Sequence, residues 1–168
     1  MIIDEEPGGA ATVTRWIRDL YGREPGHSLW VVLDDPLRLA LAQGWVLGEL
    51  GLRDDDLAED LAADDSNNRR FGEMLAALAE HWRSVYSTLR HDAGLLKAVN
   101  VAGAGMELVV MTAPEHIGRY PEGATIPAHS FVTRLEADEW VIAALARRLP
   151  VPGWPPSEQN VPGLEIDV

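Results

Sequence analysis

The sequence predicts an α+β fold: a small, mainly antiparallel sheet of about four strands packed against one long amphipathic helix and further helices, with an extended proline-rich C-terminal tail. Three observations carry that prediction. Between Asn67 and His91, the residues Phe71, Met74, Leu75, Leu78, Trp82, Val85, Tyr86 and Leu89 recur at the three-four spacing of one helical face. Between Leu96 and Met111 the pattern becomes that of two strands around a turn, Ala102-Gly103-Ala104-Gly105, whose glycines permit positive φ. Beyond Pro150 the run Pro150-Val151-Pro152-Gly153-Trp154-Pro155-Pro156 has the composition of extended polyproline-type chain. The organisation expected is a single globular domain over residues 1–150 and an acidic, proline-rich tail over 151–168.

Taken in order, an acidic start and Gly8-Gly9 lead into a first helix, where Val13, Trp16, Ile17, Leu20 and Tyr21 share a face and Gly22 follows as a natural stop. After the turn at Pro25-Gly26, Leu29-Trp30-Val31-Val32-Leu33 is β-branched and aromatic, too short for an ordinary helix, and is expected as a central strand. Asp34-Asp35-Pro36 then combines a carboxylate cap with proline in the first helical turn, so a second helix should run from Pro36 to Leu50. Gly44 and Gly48 each cost about 1 kcal/mol inside that helix, and their spacing of one turn suggests a close internal contact with another backbone. Asp54 to Asp56 begin a short third helix, and Asp65-Ser66-Asn67-Asn68 form a turn before the long one. On the long helix, Glu73, Glu80, Arg83 and Arg90 lie on the solvated face; burial of each large apolar residue opposite contributes roughly 1.5–3 kcal/mol. The segment from His129 to Thr133 reads as a strand, and Thr133 with Glu136 as the capping box of a last helix ending at Arg147-Arg148 before Pro150.

The formal charge of −13, from 27 acidic and 14 basic residues, repels phosphate backbones and anionic membranes, so nucleic acid is disfavoured as a partner. The absence of cysteine removes thiolate catalysis and thiolate metal sites and accords with a cytoplasmic setting. No apolar run approaches the roughly 20 residues of a membrane span, and no cofactor or metal motif is present. Asp54, Asp55, Asp56, Glu59, Asp60, Asp64 and Asp65 lack the alternating ligands and central glycine of a calcium loop. Gly103-Ala104-Gly105 lacks the third glycine and the helix of a dinucleotide site, and no Lys-Ser or Lys-Thr stands after it as in a phosphate-binding loop.

Two places could carry function. The connection from Thr112 to Ala128 gathers Glu115, His116, Arg119 and Tyr120, with His129 just beyond it. A histidine beside a carboxylate can act as a general base, arginine can hold an anion, and tyrosine can donate to an oxyanion. The tail offers Trp154 between prolines, with Pro155 and Pro156, as an aromatic anchor that loses little entropy on docking. The leading expectation is therefore a non-catalytic binding or assembly protein. Its role would be that of an adaptor, an inhibitor or immunity-type partner, or a phage-like structural component, meeting a protein partner or a second copy of itself through its tail and acidic surface. The alternative is a small enzyme using general acid and base chemistry in the 112–129 loop. A third reading, a helix-turn-helix with Arg69 and Arg70 toward DNA, must place Asp54 to Asp56 and Asp64-Asp65 against phosphates.

Overall fold

The structure, a computed structural model, describes residues 8–24, 26–63, 68–101, 105–118 and 121–164. Among these residues, five helices and two antiparallel sheets make up an α+β architecture. The helices are α1 (Gly9–Leu20), α2 (Ser28–Val31), α3 (Asp35–Leu50), α4 (Asp55–Ala62) and α5 (Arg69–Val85). The main sheet has the meander order β1 (Gly94–Val101), β2 (Met106–Thr112), β3 (His129–Glu136) and β4 (Glu139–Ala144). The smaller sheet pairs β5 (Arg148–Val151) with β6 (Ser157–Asn160).

Strand β2 is buried along its whole length, which explains its unbroken apolar sequence: each face of the sheet is covered. Val109 and Met111 join Phe131 and Ile142 in the main core beneath the helices. Leu108 and Val110, pointing the other way, pack with Val132, Leu149 and Val161.

The helix lying directly on the sheet is α1, not the long amphipathic helix expected there. Its first turn meets the strands at backbone distance: Gly9 N–H donates to the buried Glu107 Oε2 at 3.1 Å, and Thr12 Oγ1 donates to the Trp140 carbonyl at 3.3 Å. A carboxylate at this end also complements the helix dipole. Helix α5 then packs across α1 through Trp82 on Trp16, and Tyr86, just beyond its end, reaches Phe131 of the sheet. The expected long helix stops at Val85, and its last turns become a 3-10 segment, Ser87–Leu89, that still buries Leu89.

Two expected elements differ. Leu29–Leu33 is not a central strand: residues 28–31 form the short helix α2, and Leu33 alone makes a parallel bridge to Ile142. The Asp34 cap and Pro36 begin α3 immediately afterwards, leaving no room for a longer pairing. The last helix expected after Thr133 is instead the β3–β4 hairpin, turning at Ala137 (φ 46) and Asp138 (φ 66). Positive φ at both central residues is the two-residue turn matched to strand twist. The acidic cluster Glu136, Asp138, Glu139 imitates a helix start, whereas Thr133 and Ile142 pair across the strands and are both buried.

The segment from Val151, read from its prolines as an extended docking tail, contributes Val151 to β5, forms β6 and returns Val161 to the core beneath the sheet at 2% exposure. Removal of residues 152–168 is therefore expected to lower unfolding free energy by at least about 2 kcal/mol, measured by denaturant titration, from the loss of Val161 alone.

The glycines of α3 are not at a close backbone contact. A Cβ on Gly48 would meet nothing within 4 Å, and one on Gly44 only Pro156 Cγ at 4.0 Å. A Cβ on Gly9 would come within 2.6 Å of Thr133 Cβ. Gly48→Ala is accordingly expected to stabilise the protein by about 0.5–1 kcal/mol. Gly9→Ala should destabilise it by about 1–3 kcal/mol, and thermal or denaturant unfolding of the pair distinguishes the two signs.

Candidate binding cleft

Helices α3 and α5 diverge over the C-terminal hairpin and leave a cleft of about 360 Å³. Leu37 and Leu41 of α3 form one wall, Leu78 and Val85 of α5 the other, and Pro150 and Pro156 the end. His81, Tyr86, Arg148 and Glu158 are its ionisable lining. Val85, a residue of the long apolar stripe, is 43% exposed here, because the helix it belongs to spends its buried face on α1 rather than on the sheet.

The hairpin is fastened to α3 and to the start of α4 by polar contacts. Gly153 N–H donates to Gln43 Oε1 at 2.7 Å, and Trp154 Nε1 donates to Asp55 Oδ1 at 2.9 Å. Arg53 lies over the Trp154 ring at 5.8 Å and holds Asp55 through two hydrogen bonds, at 2.9 and 3.1 Å. The Arg53 hydrogen bonds, followed by that of Trp154, keep the Asp55 carboxyl below its ordinary range. Trp154 is thus turned onto its own chain, Pro156 lines the cleft, and Pro155 is exposed. Glycine at position 44 leaves the space that Pro156 approaches.

The residues expected around the 112–129 loop are spread along it. Glu115 is exposed and His116 half-buried on a 3-10 turn, Pro114–His116, at the end of β2. His129 opens β3 opposite Met111, with its Nε2 3.0 Å from Thr88 Oγ1 and its ring edge-on to Tyr86 at 5.1 Å. Burial lowers the His129 pKa, favouring the neutral ring in this half-buried place. No hydrogen bond or ion pair joins Glu115, His116 and His129 among the described residues, and Arg119 and Tyr120 lie outside those residues.

A second, smaller concavity of about 220 Å³ lies under the hairpin, between Pro36, Leu149, Val151 and Gln159, and contains an ion pair that sequence reasoning missed. Asp34 caps α3, accepting from Leu37 N–H at 3.0 Å, and its other oxygen sits 3.3 Å from Arg134 Nη1. Arg134 belongs to β3 but lies just past the strand expected over His129 to Thr133, where the sequence reads as the start of a helix, so nothing in the sequence brings it to Asp34. The Asp34 residue is 2% exposed. Its desolvation raises the pKa to about 6, against the opposing Leu37 N–H and Arg134, with Glu136 and Asp35 adding to the rise.

No protein-family model, curated protein or solved structure matches the chain. Among the described residues there is no cluster of three or more histidine and carboxylate groups that could hold a metal, and no helix long and apolar enough to cross a membrane. What the fold and the cleft define is an α+β protein with an apolar groove between two helices, bounded by a hairpin strand.

Because the Asp34 pKa is raised from 3.8 to about 6, the folded state holds this proton more tightly than the unfolded chain. Its stabilising contribution is complete below about pH 4 and is lost as pH rises through about 6. Asp34→Asn keeps an oxygen for Leu37 N–H and removes the titration. The stability of the wild type relative to this variant should therefore fall by an amount on the order of 2 kcal/mol between pH 4 and pH 7. Urea unfolding across that range measures it; a constant difference would show an unperturbed carboxyl.

Proposed function

We propose that this chain is a non-catalytic binding or assembly protein that takes an extended, basic segment of a partner protein at the cleft between α3 and α5. The observation that carries the reading is the cleft, whose apolar walls leave Val85 uncovered. Two further features fit a strand-like ligand. All four residues of β6 are exposed, and among the described residues this strand pairs with β5 alone, so its outer edge has backbone groups available for another strand. Ser157 and Glu158 of β6 also line the cleft, so a chain running along that edge can place one side chain between Leu41 and Val85. The charge of −13 favours a basic segment by long-range steering. The tail serves this reading as a wall of the site rather than as a free arm.

The test begins with selection of extended peptides from a displayed library, followed by titration of the recovered peptides. The selected sequences should carry net positive charge and one apolar anchor. Val85→Glu should weaken their binding at least tenfold, with little effect on folding at an exposed position. Equal binding to the variant, or selection of acidic and anchorless peptides, overturns the reading.

A further inference from the structure

The C-terminal end of α1 and the end of α5 lock each other. Arg83 donates from Nε to the Leu20 carbonyl at 2.7 Å and from Nη2 to the Gly22 carbonyl at 3.2 Å, and Tyr21 donates its hydroxyl hydrogen to the Arg83 carbonyl at 2.8 Å. Around this lock lies a concavity of about 430 Å³ bounded by Tyr21, Gly22, Arg23, Arg83, Ser87 and Arg90, with no carboxylate in its lining. In a chain of 27 acidic and 14 basic residues, three guanidinium groups line one hollow.

One of the three has a structural reason. Arg83 satisfies carbonyls that the end of α1 leaves open and places positive charge at the negative end of that helix. Arg23 and Arg90 do not share that reason. Both are exposed, and neither makes an ion pair or hydrogen bond from its side chain to any described residue. Like charges lining one hollow repel one another, and an anion between them lowers that cost.

The geometry points to a phosphate monoester site in this hollow, with Arg23 and Arg90 facing the anion from two sides and Ser87 offering a hydroxyl donor. A carboxylate would be satisfied by one arginine through its two oxygens. A phosphate monoester brings nearly two charges and three acceptor oxygens, which suits several guanidinium groups converging from different directions. Arg83, fixed by its two carbonyl contacts, retains further N–H donors. The tyrosine ring forms an apolar wall for the ester group, its hydroxyl proton already engaged. Nucleic acid is a poor occupant despite the shared chemistry, because the rest of the molecule carries strong negative charge. The hollow is separate from the α3–α5 cleft and shares no lining residue with it.

The probes are inorganic phosphate and phenyl phosphate, titrated at pH 7.5 and constant ionic strength against the full chain, with sodium chloride as control. Amide chemical shifts of residues 20–23 and 87–90 report occupancy. Saturable shifts with both phosphates and not with chloride are expected, with phenyl phosphate the tighter. The double variant Arg23→Gln/Arg90→Gln should weaken both at least tenfold, whereas Arg147→Gln, at an exposed arginine bonded to Ser130, should not. A response equal to that of chloride, or unchanged affinity in the double variant, overturns the site. Binding of inorganic phosphate without the ester overturns its assignment to a monoester.

Discussion

Trp16 has to satisfy three neighbours at once, and the arrangement of the helices follows from it. Its ring meets Trp82 of α5 at 5.2 Å, Tyr86 at 5.9 Å and Phe131 of β3 at 6.2 Å, each edge-on, while its indole N–H donates to the Leu29 carbonyl at 3.1 Å. At 1% exposure it buries one of the largest apolar surfaces a side chain can offer, and edge-to-face pairs add about 0.5–1.5 kcal/mol each beyond that burial. The hydrogen bond matters as much as the area. An indole N–H left unpaired at this depth would cost about 1–3 kcal/mol, so the carbonyl that receives it must be held in place. The four-residue helix α2 does this, and it also buries Leu29 and Trp30 in the same core.

With α1 fixed on the sheet, the two faces of β2 have different owners. The helices cover the face of Val109 and Met111, and the C-terminal segment, through Leu149 and Val161, closes the face of Leu108 and Val110. The hairpin thereby connects the underside of the sheet to α3 and α4, with Trp154 against Asp55 on one side and Gln43 against Gly153 in the middle. The cleft between α3 and α5 is a consequence of this arrangement. Once α5 commits its aromatic face to Trp16 and Phe131, its remaining apolar residues, Leu78 and Val85, face α3 across a gap that the prolines of the hairpin bound but do not fill.

Legibility in the sequence followed the range of the interaction. The Asp34-Asp35-Pro36 start of α3, the Asn68 cap of α5 and the β1–β2 hairpin rest on contacts within a few residues, and each occurs where its local signal lies, although the Ala102–Ala104 turn itself is outside the described residues. The strand expected at Leu29 and the helix expected after Thr133 failed for the same reason. In both, short local patterns were read where a distant partner decides: Trp16 recruits the Leu29 carbonyl, and the edge of β3 recruits Trp140 to Ala144. The long stripe of α5 announced a helix correctly but not its target, because periodicity says that a face is covered and not by what. The same limit applies to the tail, whose proline content suggested an extended, docking chain without saying where it docks, while Val161, an ordinary valine in sequence, packs in the core beneath the sheet.

Candidate site residues were legible only where they sit within one segment. The His116 and His129 loop and the Trp154 tail could be seen because their residues are neighbours in sequence. The Asp34–Arg134 pair joins residues a hundred positions apart, and the Arg83 lock joins residues more than sixty apart. Composition hid the latter further: a charge of −13 describes the whole surface, yet a binding site responds to the field within roughly one Debye length, about 8 Å at physiological salt. Arg23, Arg83 and Arg90 line the hollow with no carboxylate among its lining residues, and the average that argues against anions for the molecule says nothing against one anion there. The same reasoning separates the two proposed sites chemically: steering by the overall field would favour a basic partner at the cleft, and local charge an anion at the end of α1.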